Sequence, residues 1–409
     1  MKRKVHSLID KVYSRKNLEL AWEKVRKNHG SAGVDDVTIA KFETCKDHYL
    51  GVLHHKLREG TYRPKPVKRV EIDKSDGGKR KLGIPAIFDR VCQQALVQRM
   101  EPIFEPGFLE CNFGYRKGRS AHGAMRKVWQ ELQAGKLWVV DADVRQFFDT
   151  VDQEKLVDLL AKEISDGRVL SLIRRILRSG VIEGGYWQPT LTGVPQGGVA
   201  SPLWSNIFLT PFDRAMTDAG FSLTRWADDF VVLCTTRAEA ERALQFAERF
   251  LREELGVTLH PRKTRIVHVR QGFEFLGYKI QRGRGFKLPA SKRHRKHPNR
   301  MDLYVIPREK SVQRFRAQIR KLTRRSAPVT LPTLVKEINP VIRGWGNYYR
   351  KAHVRRLFNR LDVWVERRLH SFLAKRWRNR MWSRYPRGRL IEEFGLVRLT
   401  HLIPGLVRR

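Results

Sequence analysis

Long apolar runs and cysteine are both scarce in this sequence of 409 residues. No apolar stretch approaches the roughly 18–20 residues of a membrane-spanning helix, and the polar start lacks the apolar core of a signal peptide. We therefore expect no membrane partner. The four cysteines, at positions 45, 92, 111 and 234, show no CxxC spacing. That scatter excludes a zinc module and a disulfide framework, and it fits a reducing cytoplasm.

Acidic side chains are also scarce relative to basic ones. Aspartate and glutamate number 42, against 82 lysines and arginines, which gives a formal net charge of +40. A charge of this size predicts a polyanionic partner, so we expect a protein associated with nucleic acid. Because 41% of the residues are hydrophobic, the chain can bury the cores of two or three domains.

Acidic residues occur at two places where a predicted strand ends. The segment 223–233 reads LTRWADDFVVL, which predicts a hairpin with Asp228 and Asp229 at its turn. Taken alone, these acids fit ordinary turn residues. Segment 137–149 reads LWVVDADVRQFFD, however, and its strand runs into Asp143. Carboxylates from a strand and a neighbouring hairpin suit two Mg²⁺ ions about 3.5–4 Å apart, or Mn²⁺ in their place. We predict that Asp143, Asp228 and Asp229 are the catalytic, metal-binding residues.

Three segments together carry a family resemblance. DADVRQFFD (141–149), GVPQGG (193–198) and WADD (226–229) resemble motifs A, B and C of reverse transcriptases, in that order, with Trp226 at the place of the common tyrosine. The resemblance implies an α+β, right-hand polymerase whose palm is a small antiparallel sheet. It implies synthesis of DNA on an RNA template from a DNA primer and deoxynucleoside triphosphates.

The same resemblance assigns nucleotide-binding residues. Phe148 corresponds to the aromatic residue beneath the incoming sugar, Gln196 to the motif B amide, and Lys263 to the motif D lysine near the pyrophosphate. The segment 62–85 predicts a basic hairpin of the fingers, in which Lys74 and Arg80 would grip the triphosphate. The alternative for this hairpin is solvated surface charge.

Two loops resemble nucleic-acid contacts of the same family. NHGSAGVDDVT (28–38) resembles a loop of the amino-terminal extension, with Asp36 at the place of a glycine, and either a helix linker or a template contact fits it. FGYRKGRSAHGA (113–124) resembles a loop in which Arg116 and Arg119 would contact template or primer phosphate.

The last 109 residues contain 27 Lys or Arg and 7 Asp or Glu. Their helical pattern includes NPVIRGWGNYYR (339–350), which resembles the maturase-specific domain X of group II intron proteins. We expect Arg343, Arg350 and Arg355 to bind intron RNA. The basic stretch 281–300 fits either a solvated linker or an RNA contact.

The predicted domains are an amino-terminal extension (1–60), fingers (61–135), a palm (136–300, with the linker 281–300), and an all-helical thumb with domain X (301–409). This organisation predicts a group II intron-encoded reverse transcriptase and maturase of bacterial or organellar origin, active in splicing and retrohoming. No HNH endonuclease signature is present, so second-strand cleavage is expected from elsewhere. Two alternatives remain: an RNA-binding splicing cofactor with a vestigial polymerase, and a domesticated reverse transcriptase in DNA repair or phage defence.

Overall fold

The structure is a computed structural model that describes residues 4–73, 79–282, 303–324, 326–377 and 381–405. It divides into two compact units, Met1–Ile266 and Val267–Arg409. No helix within the described residues has the length and apolar character needed to cross a membrane.

The first unit is mostly helical around two sheets. Its helices are α1 (Ile9–Tyr13), α2 (Arg15–Lys27), α3 (Ile39–Thr44), α4 (Lys46–Arg58), α5 (Ile87–Phe104), α6 (Ala121–Gln133), α7 (Phe147–Thr150), α8 (Gln153–Ala161), α9 (Gly167–Leu177), α10 (Ser201–Asp218) and α11 (Arg237–Glu253). Threonine and serine favour the position before a helix, so the sequence predicts caps at Thr38 and Ser120. The structure confirms both, because these side chains accept from the amides of Lys41 and Gly123. Such caps satisfy amides that have no partner inside the helix.

The first sheet contains the predicted basic hairpin. Strands β1 (Val67–Asp73) and β2 (Lys79–Ile84) are antiparallel, and the order is β2-β1-β4-β5, with β4 (Val181–Glu183) parallel to β1 and β5 (Tyr186–Gln188) at the edge. Lys74 lies outside the described residues, as does the side chain of Arg80.

The second sheet has the order β6-β7-β3-β8, formed by β3 (Trp138–Asp143), β6 (Ser222–Trp226), β7 (Asp229–Cys234) and β8 (Arg265–His268). Strand β7 is antiparallel to both neighbours. Helix α11 packs on β3 and β7 through Ala240, Ala243, Ala247 and Leu251, which are buried at helical spacing. The small antiparallel palm sheet backed by helices is therefore confirmed.

The second unit is helical with one sheet. Strands β9 (Phe273–Phe275), β10 (Tyr278–Arg282) and β11 (Leu303–Pro307) form a sheet of order β11-β10-β9, and the helices are α12 (Glu309–Leu322), α13 (Leu331–Tyr349), α14 (Arg355–Trp377), α15 (Met381–Arg384) and α16 (Arg387–Glu392). The described residues between 303 and 405 are thus mainly helical after one initial strand. The two compact units divide at 266/267, and β11, which follows the predicted boundary at 300/301, pairs with β10. The division into four domains stays a prediction. Most of the basic linker, from residue 283 on, lies outside the described residues.

The amino-terminal loop 28–38 is docked on the start of α5. Arg90 donates to the carbonyls of Ser31 and Pro85, and a Cβ at Gly33 would lie 2.6 Å from Ala86 Cα. Asp36 adopts a left-handed conformation with φ 50°, so it occupies the backbone geometry for which the related loops use glycine. Aspartate is one of the few other residues that enter this region, which explains how the loop accommodates the substitution.

Candidate active site

The predicted catalytic carboxylates meet at the end of the second sheet. Strands β3 and β7 pair so that Asp143 lies directly opposite Asp229. The two residues between β6 and β7 are Ala227 and Asp228, and the Asp228 carbonyl accepts from the amide of Val144 at 3.3 Å. The register of one strand pair and a tight turn thus bring together acids that are about 85 residues apart in sequence.

A basic segment after α11 packs beside these acids. The amide of His260 donates to the Asp143 carbonyl at 2.7 Å, which fixes the segment. Within it, the Lys263 ammonium contacts a carboxylate oxygen of Asp143, although 57% of the lysine side chain is exposed. Arg265 binds Asp141 at 2.9 Å. The structure therefore places Lys263 at the carboxylates, where its charge opposes theirs.

The electrostatics of the site show a local excess of negative charge. Burial raises the pKa of Asp229 to about 8, and the neighbouring Asp143, Asp141 and Asp228 add to this, against the effect of Lys263. Burial alone would lower the pKa of Lys263, but its hydrogen bond to Asp143 and the nearby acids raise it. Burial, with a smaller contribution from the neighbouring carboxylates, therefore favours the protonated form of Asp229 near neutral pH.

This donor set fits a hard divalent cation, because all three side chains offer carboxylate oxygens and their mutual repulsion is relieved by positive charge. Within the described residues, no three such groups already converge as a preformed metal cluster. The Asp143 carboxylate instead carries the Lys263 ammonium, so a metal ion would have to compete with that contact.

The turn that carries Asp228 is held by a buried network that we call the turn clamp, formed by Arg225, Asp213, Asn206 and Gly114. Arg225 is fully buried and donates twice to Asp213, at 2.6 and 2.5 Å. Its remaining nitrogen donates to the Ala227 carbonyl at 2.8 Å and to Asn206 at 3.3 Å. Asn206 in turn donates to the Gly114 carbonyl at 2.9 Å.

The turn clamp explains a strained backbone. Ala227 has φ 58°, in the left-handed region that is unfavourable for a residue with a Cβ. Gly114 lies against it so closely that a Cβ there would be 2.3 Å from the Ala227 amide nitrogen. Sequence reasoning missed Arg225 and Asp213. Two features of the sequence could have indicated them. Arg225 is a charged residue in the otherwise uncharged strand β6, and Asp213 lies in the apolar part of α10.

A cavity of about 360 Å³ lies between the β1–β2 hairpin and the chain around motifs A and B. Phe148 and Gln196 both line it, as expected for two nucleotide-binding residues, and Phe148 is 8% exposed. Arg69 and Lys81 line it from the hairpin. Sequence reasoning selected other basic residues of that hairpin, because which residues share a face depends on a pairing register that the sequence does not reveal.

Backbone contacts close this cavity. The Val194 amide donates to the Phe148 carbonyl at 2.6 Å, and the Gly83 amide donates to the Gln196 carbonyl at 2.6 Å. Gly193 has φ 83°, and a Cβ there would lie 2.7 Å from the Phe148 carbonyl oxygen. Glycine is required at this position for both reasons. Motif B is thus hydrogen-bonded to motif A on one side and to β2 on the other.

Arg116 is buried against the residues around its own loop. Its guanidinium donates to the carbonyls of Leu109 and Asn112 at 2.7 and 3.0 Å, pairs with Glu105 at 2.7 Å, and lies over the ring of Phe108. The side chain is 5% exposed. These contacts contradict the prediction that Arg116 binds phosphate, since its donors are already used to fold its own loop.

The other predicted RNA-binding arginines remain at least partly accessible. Arg119 is half-buried, pairs with the exposed Glu110 and lies over Phe113. In the second unit, Arg343 on α13 and Arg355 on α14 are exposed, and Arg350 at the end of α13 is half-buried. Nothing in their contacts tests RNA binding, so for these four residues it stays a prediction.

Comparison with known proteins identifies relatives of both units. The family model described as reverse transcriptase (RNA-dependent DNA polymerase) matches residues 72–280, about half of the chain, and the model described as group II intron, maturase-specific domain matches residues 312–388. Two predicted features, the motif set A to C and the segment GWGNYYR (344–350), lie inside these matches.

Among individual relatives, Protein YkfC of Escherichia coli (strain K12) is 34% identical over 296 residues, which cover 63% of this chain and 78% of YkfC. Group II intron-encoded protein LtrA of Lactococcus lactis subsp. cremoris is 26% identical over 426 residues, which cover 85% of this chain and 70% of LtrA. A solved structure, a partial Cas6-RT-Cas1–Cas2 complex, gives a TM-score of 0.39 at 22% identity and covers 61% of this chain and 43% of that chain.

The turn clamp predicts that removing the charge of Asp213 strongly destabilises the protein. Asp213→Asn should lower the free energy of unfolding by roughly 3–5 kcal/mol, because it leaves the buried Arg225 guanidinium without its counter-charge. Urea unfolding followed by circular dichroism measures this. The matched control is Glu241→Gln, which breaks the exposed pair with Arg237 and should cost about 0–1 kcal/mol. Equal effects of the two variants would contradict a structural role for the clamp.

The raised pKa of Asp229 predicts a pH dependence of stability. The folded state binds this proton more tightly than the unfolded chain, so the stabilisation is complete below about pH 4, the ordinary aspartate pKa, and is lost as pH rises through about 8. In buffer with a chelator, the thermal midpoint should therefore fall between about pH 6 and 8.5. Asp229→Asn should flatten this slope. A slope that is the same in both proteins would assign it to other groups.

Proposed function

Because the chain belongs to the reverse transcriptases and carries the maturase-specific domain of group II introns, we propose that Asp143, Asp228 and Asp229 are its catalytic carboxylates in copying RNA into DNA. The observation that carries this proposal is the strand register that sets Asp143 opposite Asp229, with Asp228 in the adjoining turn. The substrates are deoxynucleoside triphosphates and a DNA primer on an RNA template.

The three carboxylates would hold two Mg²⁺ ions, for which Mn²⁺ can substitute. When bound, such ions activate the attacking 3′-hydroxyl of the primer and stabilise the leaving pyrophosphate. The oxygen donors and the raised pKa of Asp229 support this assignment. Lys263 supplies a positive charge beside Asp143, and this charge would stabilise the negative charge that builds on the departing phosphates.

The cavity lined by Phe148 and Gln196 is the proposed site of the incoming nucleotide. Arg69 and Lys81 reach it from the fingers hairpin, and both pair with Glu183, at 3.5 and 2.9 Å. A triphosphate would replace that single carboxylate with a stronger partner. Phe148 would lie beneath the sugar, where its bulk leaves no room for a 2′-hydroxyl.

The second unit and its arginines are assigned to the intron RNA. Arg343 and Arg355 are exposed on helices that follow one another in the chain, and Arg350 and Arg119 would add contacts to phosphate. The basic charge of the chain supports this partner, because phosphate neutralisation dominates affinity for nucleic acid. Splicing assistance of this kind needs a bound RNA fold and no protein-held metal.

The two activities should separate by variant. Asp143→Asn and Asp228→Asn should reduce primer extension on RNA by roughly two orders of magnitude or more, while the dissociation constant for intron RNA stays within about threefold of its original value. Asp218→Asn, at an exposed position on α10, is the matched control and should keep both activities.

The opposite separation, loss of RNA binding without loss of synthesis, is tested with Arg343→Ala and Arg355→Ala. They should weaken intron RNA binding and flatten its log–log salt dependence by about 0.7–0.9 for each phosphate that the variant no longer neutralises, with short-primer extension retained. Arg237→Ala, an exposed arginine on α11, controls for removal of a positive charge alone. If the carboxylate variants lose RNA binding together with synthesis, the proposed division between the units is wrong.

The proposed position of Phe148 beneath the sugar is tested by discrimination between ribonucleotides and deoxyribonucleotides. Phe148→Val should raise the efficiency of ribonucleotide relative to deoxyribonucleotide insertion by roughly 10–200-fold, because the smaller side chain leaves room for the 2′-hydroxyl. Single-nucleotide extension with each triphosphate gives the ratio. Phe148→Tyr, which keeps the ring, should discriminate as the unchanged protein does. An unchanged ratio in Phe148→Val would contradict the proposed position of Phe148 beneath the sugar, without bearing on the catalytic carboxylates.

A further inference from the structure

The short hairpin of β4 and β5 exposes an unusual amount of apolar surface. Tyr186 is 78% exposed, Trp187 57% and Leu191 80%. These three come from six consecutive positions, whereas the other large apolar side chains exposed in the described residues are scattered along the chain. Neighbouring exposed aromatics on a strand usually mark a contact surface.

Trp187 is held in place although it is exposed. Its indole packs over the backbone of Gly180 so closely that a Cβ there would lie 2.3 Å from the indole nitrogen. The Gly180 backbone is itself fixed, because its carbonyl accepts from Val67 at 2.9 Å and its amide donates to Thr190 at 3.2 Å. The ring is therefore positioned before any ligand arrives, which limits the entropy that binding would cost.

The hairpin lies at the edge of the proposed nucleotide site. Glu183, opposite Tyr186 in the β4–β5 ladder, pairs with Arg69 and Lys81, and these two residues line the cavity. The residues that follow β5, from Pro189 to Gln196, line the same cavity. Trp187 alternates along β5 with the cavity-lining Gln188, so its ring lies on the opposite face of the sheet, and a strand stacked on it would pass around the outside of the hairpin next to the proposed nucleotide site.

The face of the sheet that carries the indole also carries a cation. Lys68 is opposite Ile182 across β1 and β4, and Ile182 is opposite Trp187 across β4 and β5. These three therefore share one face. Lys68 pairs with Asp36 at 3.4 Å, and both side chains are largely exposed. Such a pair is weak, and a phosphate can compete for the lysine.

We propose that Trp187 stacks on an unpaired base of the RNA template just ahead of the base being copied, with Lys68 near its phosphate. This rests on the proposed function, which requires the copied base to meet the nucleotide in the cavity, so the next template base must lie close by and unpaired. Proteins that hold single strands combine aromatic rings with basic residues and accept every base, since each has a stacking face. A copying enzyme needs that tolerance of sequence.

The test is a binding assay that needs no chemistry. The full-length protein is titrated into an RNA template annealed to a DNA primer, without nucleotides, with the template overhang absent, six adenosines long, or six abasic nucleotides long. Trp187→Ala should bind the adenosine overhang about tenfold more weakly than the unchanged protein does, a decrease of the size expected for stacking of one base. It should bind the blunt duplex and the abasic overhang as well as the unchanged protein does.

Two variants complete the design. Trp187→Phe keeps a stacking ring and should recover most of the affinity, and Leu20→Ala removes an exposed apolar side chain of α2, outside the hairpin and the cavity, and should change nothing. The inference is overturned if Trp187→Ala weakens the blunt duplex as much as the overhang, or if the abasic overhang shows the same tenfold decrease. It is also overturned if Trp187→Ala changes only self-association measured by sedimentation, since the hairpin edge would then pair with a second copy.

Failure of the stacking site can be told apart from failure of the proposed function. Primer extension by the unchanged protein is measured on the same duplexes. If extension proceeds and the overhang effect is missing, only the role of Trp187 is wrong. If no extension occurs with Asp143, Asp228 and Asp229 intact, the proposed polymerase activity is wrong, and an overhang-specific decrease in Trp187→Ala would still establish single-strand binding.

Discussion

The buried ion pair between Arg225 and Asp213 is the interaction on which the rest of the site depends. The hairpin between β6 and β7 combines two unfavourable features: adjacent carboxylates, and a left-handed alanine at 227. A left-handed alanine persists only where the surrounding structure compensates for its strain. Arg225 does so by donating to the Ala227 carbonyl, while Asp213 neutralises the arginine's charge. The pair itself costs desolvation, so its value lies in fixing one geometry more than in adding stability.

The cavity beside motifs A and B is also held by polar contacts, here between backbone groups. Motifs A and B are joined through backbone hydrogen bonds, at Phe148 with Val194 and at Gln196 with Gly83, so their relative position does not depend on long side chains. Glycine at 193 allows that approach. Because backbone atoms join these segments, the side chains of Phe148 and Gln196 are free to define the shape of the cavity. Precise placement of such groups governs discrimination between closely similar substrates.

The sequence alone was enough to predict the palm sheet, the two capped helices at Thr38 and Ser120, and the convergence of the three carboxylates. The palm sheet followed from the resemblance to reverse transcriptases, the two caps from residues that favour the position before a helix, and the convergence from acids at strand ends. The errors have a common cause. Arg116 looks like a phosphate ligand in a glycine-rich loop, but nearby carbonyls and Glu105 take its donors. Arg69 and Lys81 were missed because the residues that face the cavity depend on the pairing of the strands.

The charges around the carboxylates constrain how the site can work. Lys263 and Arg265 come from one short segment and hold Asp143 and Asp141 respectively, so two of the nearby acids are already neutralised. The pKa of Asp229 is raised, because burial and the surrounding acids affect it more than Lys263 does. A divalent cation held by these carboxylates would compete with Lys263 for Asp143, and the displaced ammonium would then be available to a phosphate. If the carboxylates hold metal as proposed, the basic segment after α11 would couple their occupancy to the position of a positive charge.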